Sequence, residues 1–434
     1  MARRDSTAIE RSLTRLLPSR LIRKLARKVG FVKRSRKIDA VAFIWTLVLG
    51  FGAGREKSLA SLRRTYQLQT GTRLVPSAFY DRFTPELVKL EQELLAHALS
   101  ELREEAPASL EGALGEFEEL VASDATVIRL AETLKKKFPA TRTNHTKAAA
   151  KLHVVMNVAG AGMKSVKITS ERYPDGKALV VGDWVKDRLL LFDLGYYNFS
   201  LFSRIRRRGG HFISRLKSNA NPLIVAEHGD GQTLVGRHLQ DVLGSLRRSV
   251  LDVDVEVRVK RRVYRGKSRT VRERFRVVGI RDTDDNEYHL YITDVTEAIL
   301  SAEQVAEVYR LRWTVELLFK EMKSHYRLEE IPTGKEHIVK GLLYATILTV
   351  VVSRVLLKAI RQRLRAGQRH RLNPLRWATV LRASASALLR QVLLAAGARV
   401  GNQSANLLRM LLTEVVDPNV GRVLLLDDAE VLLS

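Results

Sequence analysis

Three carboxylates lie in settings where an unpartnered acid is unfavourable. Asp124 interrupts the apolar run Leu120-Val-Ala-Ser-Asp-Ala-Thr-Val-Ile128. Asp193 ends Leu189-Leu-Leu-Phe-Asp, with Gly195 two positions on. An acid within a buried strand or at its carboxyl end requires a pair, a cap or a metal ion. Glu316 lies in Tyr309-Arg-Leu-Arg-Trp-Thr-Val-Glu-Leu-Leu-Phe-Lys-Glu-Met-Lys323, which contains neither Gly nor Pro. At about 100° per residue, Tyr309, Arg312, Glu316 and Lys323 fall in one stripe about 60° wide. Taken alone, the wheel favours a plain structural role for Glu316, as the i, i+4 partner of Arg312 or Lys320. Two strand acids and a helix acid that can lie against one sheet could instead form a trio of oxygen ligands. Mg²⁺ prefers such hard donors. Two ions held close together activate an attacking oxygen and stabilise a leaving one in phosphodiester displacement. The chain has no Cys and ten scattered His, so a zinc ligand cluster is not apparent.

The elements that must position these groups divide the chain into three textures. Residues 1–112 are expected to be helical, with thirteen Lys/Arg and three acids in the first forty residues. Pro85–Leu102 has helical periodicity with Thr84 as its cap. Residues 113–335 alternate short β-branched runs with helical stretches such as Phe199–Arg208, which predicts an α/β sheet. The strands expected are Glu119–Leu130, Lys151–Val158, Ser165–Thr169, Arg188–Asp193 and His211–Lys217. Residues 221–297 are strand-rich. Val253, Val255, Val257 and Val259 alternate with charged residues, Arg265–Ser268 makes a turn, and Thr270–Val278 returns. That hairpin carries ten Lys/Arg from Arg258 to Arg276 and one acid, Glu273. The signature segment is expected to form one helix from about Ala302 to His325, with Leu311, Val315, Leu318 and Met322 facing the sheet. Residues 336–434 return to helix.

Bulk composition agrees with a nucleic-acid partner. The 434 residues carry 74 Lys+Arg against 47 Asp+Glu, a formal charge of +27. A polyanion would neutralise that self-repulsion, with nucleic acid ahead of an anionic membrane surface. At 45% hydrophobic residues the chain can bury a core. The absence of Cys suits a reducing cytoplasm. The N-terminus has no uninterrupted apolar stretch or cleavage site, which argues against a secretory signal. The apolar runs Ala40–Ala53 and Gly341–Ser353 fall short of the about 20 residues that span a bilayer, so buried helices are expected.

The spacing Tyr309-x₂-Arg312-x₃-Glu316-x₆-Lys323 resembles the YREK signature of the DDE transposases of bacterial insertion sequences, in the fourth insertion-sequence family. Asp193-Leu-Gly-Tyr196 followed by Gly210-His-Phe-Ile-Ser-Arg-Leu-Lys217 is similar to that family's second-acid motif. Ser123–Ile128 resembles the first-acid motif, and Thr141–Lys147 through His153 is less diagnostic. The matches cover roughly residues 118–325. The resemblance implies a ribonuclease-H-like catalytic core, with a β-rich insertion at about 221–297, flanked by helical N- and C-terminal regions. It implies Asp124, Asp193 and Glu316 as catalytic metal ligands for two Mg²⁺ ions, with Mn²⁺ as a substitute. Tyr309, Arg312 and Lys323 would hold terminal phosphates, with Arg215 and Lys217 as further DNA contacts. Some relatives stack a flipped base on a Trp in the insertion. This chain has none there, its four being Trp45, Trp184, Trp313 and Trp377. Trp313 is expected to pack in the core, and Tyr264, Tyr288 and Tyr291 are the aromatic substitutes.

The remaining charged groups have plainer expectations. Asp183 and Asp187 read as salt-bridged surface acids. Arg204 and Arg206–Arg208, His145, Lys147 and the Arg361–Arg376 cluster divide between solvated faces and DNA contacts. The expected activity is metal-dependent cleavage of double-stranded DNA at terminal inverted repeats, then strand transfer into target DNA. The expected assembly is a homodimer on DNA, with no membrane association and a cytoplasmic, nucleoid-associated location. The competing readings are a metal-dependent nuclease or resolvase, and a catalytically silent transposase-derived DNA-binding protein.

Overall fold

A computed structural model describes residues 11–33, 38–54, 58–72, 74–104, 110, 112–141, 146–159, 162–229, 233–262, 268–282, 287–331, 333–369 and 371–395. Nine strands form one mixed sheet: β1 Glu119–Arg129, β2 Ala149–Asn157, β3 Gly162–Ser170, β4 Arg188–Phe192, β5 His211–Arg215, β6 Leu223–Glu227, β7 Val250–Arg262, β8 Ser268–Arg281 and β9 Tyr288–Thr293. Their order is β3-β2-β1-β4-β5-β9-β8-β7-β6. β1, β4 and β5 are parallel, and β2 and β9 flank them antiparallel. The strand-rich stretch after residue 221 therefore extends the sheet already begun by β1–β5. The expected turn at Arg265–Ser268 falls almost wholly outside the described residues.

Side chains alternate strictly across this sheet. Val121, Leu190, Phe192, Phe212, Val255 and Ile292 face one core, beneath α5 (Phe199–Arg207). Ala122, Leu191, Ile213, Val278 and Tyr291 face the other, larger core. Helices from both ends of the chain build that larger core. From the N-terminal side come α1 (Ser19–Lys28), α2 (Ala40–Trp45), α3 (Leu59–Thr70) and α4 (Pro85–Glu104). From the C-terminal side come α6 (Ala302–Arg310), α7 (Trp313–Ser324), α8 (Glu336–Arg361) and α9 (Pro374–Ala395). α2 continues as a π-helical stretch, Thr46–Gly52, that packs on α8. There the Thr349 hydroxyl donates to Val48 O at 2.5 Å. A Cβ on Gly52 would lie 1.8 Å from that hydroxyl, so only glycine fits the contact.

By length and composition α8 and α9 could each cross a membrane, and α8 has 26 residues, more than its apolar run suggested. Within the protein, 78% of the most apolar stretch of α8 is buried, and 56% of that of α9. α8 accordingly reads as a core helix. Buried polar contacts fix it in place. Tyr326 Oη donates to Ser353 Oγ at 2.7 Å, and Trp377 Nε1 donates to the same oxygen at 2.9 Å. Arg354 pairs with the buried Glu321 of α7.

Candidate active site

Sheet register brings two of the acids together. Ser123 of β1 lies opposite Phe192 of the parallel β4. One residue further along both chains, Asp124 stands beside Asp193, which keeps an extended backbone just past the strand. Alternation turns both toward the larger core, as it does Arg215 at the end of β5 and Tyr291 opposite it on β9. Four neighbouring strands thus present Asp124, Asp193, Arg215 and Tyr291 in one row beneath α6 and α7.

The signature segment is two helices rather than the single one expected. Leu311 and Arg312 keep right-handed backbone angles. The hydrogen bonds there shorten to i→i−3: Leu311 N to Val308 O at 3.1 Å, Arg312 N to Tyr309 O at 3.0 Å and Val315 N to Arg312 O at 3.2 Å. A tightened turn of this kind separates α6 from α7, and such turns recur at functional hinges. It also alters the expected stripe. Tyr309 is buried, its ring 5.0 Å from that of Tyr291, and its hydroxyl has no hydrogen-bond partner among the described residues. Burial pushes that phenol up to about 12. Val315, Leu318 and Met322 face the core as expected.

Arg312 occupies the centre of the site. Its side chain is buried, with Nη2 2.8 Å from Glu316 Oε1 and Nη1 3.4 Å from Asp124 Oδ2. The i, i+4 pairing and the approach of α7 to β1 are therefore one contact. The Asp124 carboxyl is raised to about 6, chiefly by burial, with Asp193 and Glu316 adding to the rise and the Ala125 amide and Arg312 opposing it. Three convergent acids of this kind suit a hard cation in their donor chemistry. As placed, however, no three His, Cys, Asp or Glu side chains among the described residues stand close enough to share an ion. The guanidinium stands between two of the acids.

Lys323 donates to Val127 O at 3.0 Å and pairs with Glu329 at 2.8 Å, which ties the end of α7 to β1. Arg215 is exposed, and the Lys217 ammonium lies 5.3 Å from the centre of the Tyr197 ring. Trp313 overturns the expectation of core packing. It is 51% exposed, with the Arg312 guanidinium 5.7 Å from its ring, because the break before α7 turns it outward. Of the two surface acids, Asp183 pairs with Arg208, and Asp187 lies 3.9 Å from Lys186. Arg142 to His145 fall outside the described residues.

Two groups beside the site escaped sequence reasoning. Stacking is the role the sequence suggests for Tyr291, yet the parity of β9 fixes the face on which it meets Tyr309. Asp175 gave no signal. It pairs with Lys151 at 3.1 Å and stands 3.4 Å from His153, whose burial depresses it to about 4. Its Oδ2 also lies 3.0 Å from where a Cβ on Gly195 would be, in the turn that carries Tyr196 past Asp193.

Known proteins resemble this chain over much of its length. Residues 115–352 match the family described as Transposase DDE domain. The transposase for insertion sequence element IS1151 of Clostridium perfringens is 24% identical over 367 residues, 76% of each chain. The transposase for insertion sequence element IS231B of Bacillus thuringiensis subsp. berliner is 23% identical over 391 residues, 78% of this chain and 77% of its own. Among solved structures, a piggyBac transposase synaptic complex with hairpin DNA is 10% identical with a TM-score of 0.46, over 93% of this chain and 83% of that one. With more than half of its length matching the family, and all three acids and the full signature inside the match, the chain belongs to the DDE transposases of insertion sequences, enzymes of DNA transposition.

Proposed function

We propose that Asp124, Asp193 and Glu316 are the catalytic carboxylates of a two-metal reaction that cleaves double-stranded DNA at terminal inverted repeats. The freed 3′-hydroxyl then attacks target DNA. The observation that carries this reading is the meeting of Asp124 and Glu316 at one guanidinium, with Asp193 beside Asp124 on the same face. Two Mg²⁺ ions, with Mn²⁺ as a substitute, would bind these acids and supply the charge that activates the attacking oxygen and steadies the leaving one. Arg312 balances the carboxylates, and its planar fork suits a phosphate brought against them. The unpartnered Tyr309 hydroxyl would be satisfied by a phosphate oxygen. Lys323 would add a point charge on leaving Glu329, and Arg215 and Lys217 would meet the backbone beyond the end of β5.

In the same reading β1–β5 with α6 and α7 form a ribonuclease-H-like core, and residues 221–297 form its insertion. Residues 1–112 bind DNA, 113–335 carry catalysis, and 336–434 contribute to a homodimer that brings two ends together on the nucleoid. The test is cleavage of a labelled fragment carrying the flanking inverted repeat, in Mg²⁺ and in EDTA, by wild type and Glu316→Gln. Nicking at the repeat boundary should need the metal and vanish in the variant while binding persists. Equal cutting by Glu316→Gln would remove Glu316 from the triad.

A further inference from the structure

The outer half of the β7–β8 hairpin has two unlike sides. Val257, Val259 and Phe275 are buried on one, where the Phe275 ring stacks on Phe199 of α5 at 6.3 Å. The register sets Glu256 opposite Arg274, Arg258 opposite Arg272, and Lys260 opposite Thr270. Arg258, Lys260, Arg272 and Arg274 therefore share the other side, and all four are exposed. Glu256 is the one acid in these three rows, 3.2 Å from Arg272. Arg258, Lys260 and Arg274 form no ion pair among the described residues. Further along the same side, Arg276 is buried, pairs with Asp252 and donates to Leu300 O at 2.7 Å, just before α6 begins. The exposed cations start where that helical cover stops.

This side is the one that carries the catalytic row. Val278 lies opposite Tyr291, and Tyr291 lies opposite Arg215. At about 3.3 Å per residue, Arg274 stands about 13 Å from that row and Lys260 about 26 Å. We propose that Arg258, Lys260, Arg272 and Arg274 form a rail for the phosphate backbone of duplex DNA, remote from the reacting phosphate and indifferent to sequence. The inference rests on the reading above that this enzyme acts on double-stranded DNA. Three features favour a duplex. Three of the four cations, Arg258, Lys260 and Arg274, form no ion pair among the described residues, and Glu256 answers only Arg272. They stand on a two-stranded ribbon held rigid by an apolar underside. Alternate residues of a strand advance about 6.6 Å, close to the about 6.8 Å of helix axis that two phosphate steps of one DNA strand cover. Contacts of this kind position a duplex without reading it.

The experiment measures binding to two labelled duplexes, one with the flanking inverted repeat and one unrelated, as salt rises from about 0.05 to 0.3 M. Wild type is compared with a variant carrying Arg258→Gln, Lys260→Gln, Arg272→Gln and Arg274→Gln, and with one carrying Arg258→Lys, Arg272→Lys and Arg274→Lys. The Gln variant should lower the slope of log affinity against log salt by about 2–4 on both duplexes, since each phosphate contact contributes about 0.9. The Lys variant should keep the wild-type slope. A Gln variant that keeps wild-type affinity and slope overturns the rail while leaving the DNA reading intact. A Lys variant as impaired as the Gln variant also overturns it, because charge would not be the cause. Wild type that binds neither duplex overturns the DNA reading and the rail together.

Discussion

The Arg312 guanidinium links Asp124 to Glu316, spanning 3.4 Å to the strand acid and 2.8 Å to the helix acid. The contact joins β1 to α7 across 188 positions of sequence. It also opposes the burial that, on balance, leaves this carboxyl raised to about 6.

Arg312→Ala leaves two half-buried acids without that cation. We expect a loss of about 2 kcal/mol in unfolding free energy in EDTA, in the range for charged hydrogen bonds. Added Mg²⁺ should then stabilise the variant more than it stabilises wild type. Thermal unfolding with and without the ion measures both effects. Equal stabilisation of the two proteins by Mg²⁺ would count against a shared position for guanidinium and metal.

Glu91 of α4 lies fully buried against α8, and neither carboxylate oxygen has a hydrogen-bond partner among the described residues. Burial holds its pKa well above the usual carboxylate range. The folded state therefore binds this proton more tightly than the unfolded state. Stability is greatest below the unfolded pKa and falls as pH rises toward the folded one. Glu91→Gln should remove that decline, so unfolding midpoints should fall less in the variant as pH rises above the ordinary carboxylate range. Parallel profiles for the two proteins would show that Glu91 carries no such linkage.

Two tryptophans should respond in opposite ways. Trp377 is fully buried and bonded to Ser353, so Trp377→Ala should cost about 3–5 kcal/mol. Trp313 is half exposed, so Trp313→Ala should alter stability by no more than about 0.5 kcal/mol. Chemical denaturation of both variants decides it. A Trp313→Ala protein as unstable as Trp377→Ala would return Trp313 to the core.

Much of this architecture is legible in the residues. The valines of β7 alternate with charge, and the strand follows them. An acid inside the apolar run of β1 already implies a partner, and Arg312 with Asp193 beside it provides one. The helical spacing offers Arg312 or Lys320 as the partner of Glu316, and Arg312 is the one that pairs with it. What stayed hidden depends on long-range geometry. The break between α6 and α7 contains neither Gly nor Pro, and both residues keep helical angles, so periodicity runs through it unmarked. The exposure of Trp313 follows from that break and was missed with it. The antiparallel pairing of β5 with β9 joins residues nearly eighty positions apart. No local pattern shows that β6–β9 extend the sheet begun by β1.

The close seat of Gly52 on Thr349 has a kinetic consequence. The π-helical stretch after α2 finds its packing partner almost three hundred residues downstream, so its apolar faces stay uncovered until α8 has been made. Contacts of such separation form late, and the chain passes through states with exposed hydrophobic surface. An interrupted translation product ending before α8 would present the faces of the π-helical stretch and of α4 that α8 covers to solvent, and it should aggregate rather than retain partial function.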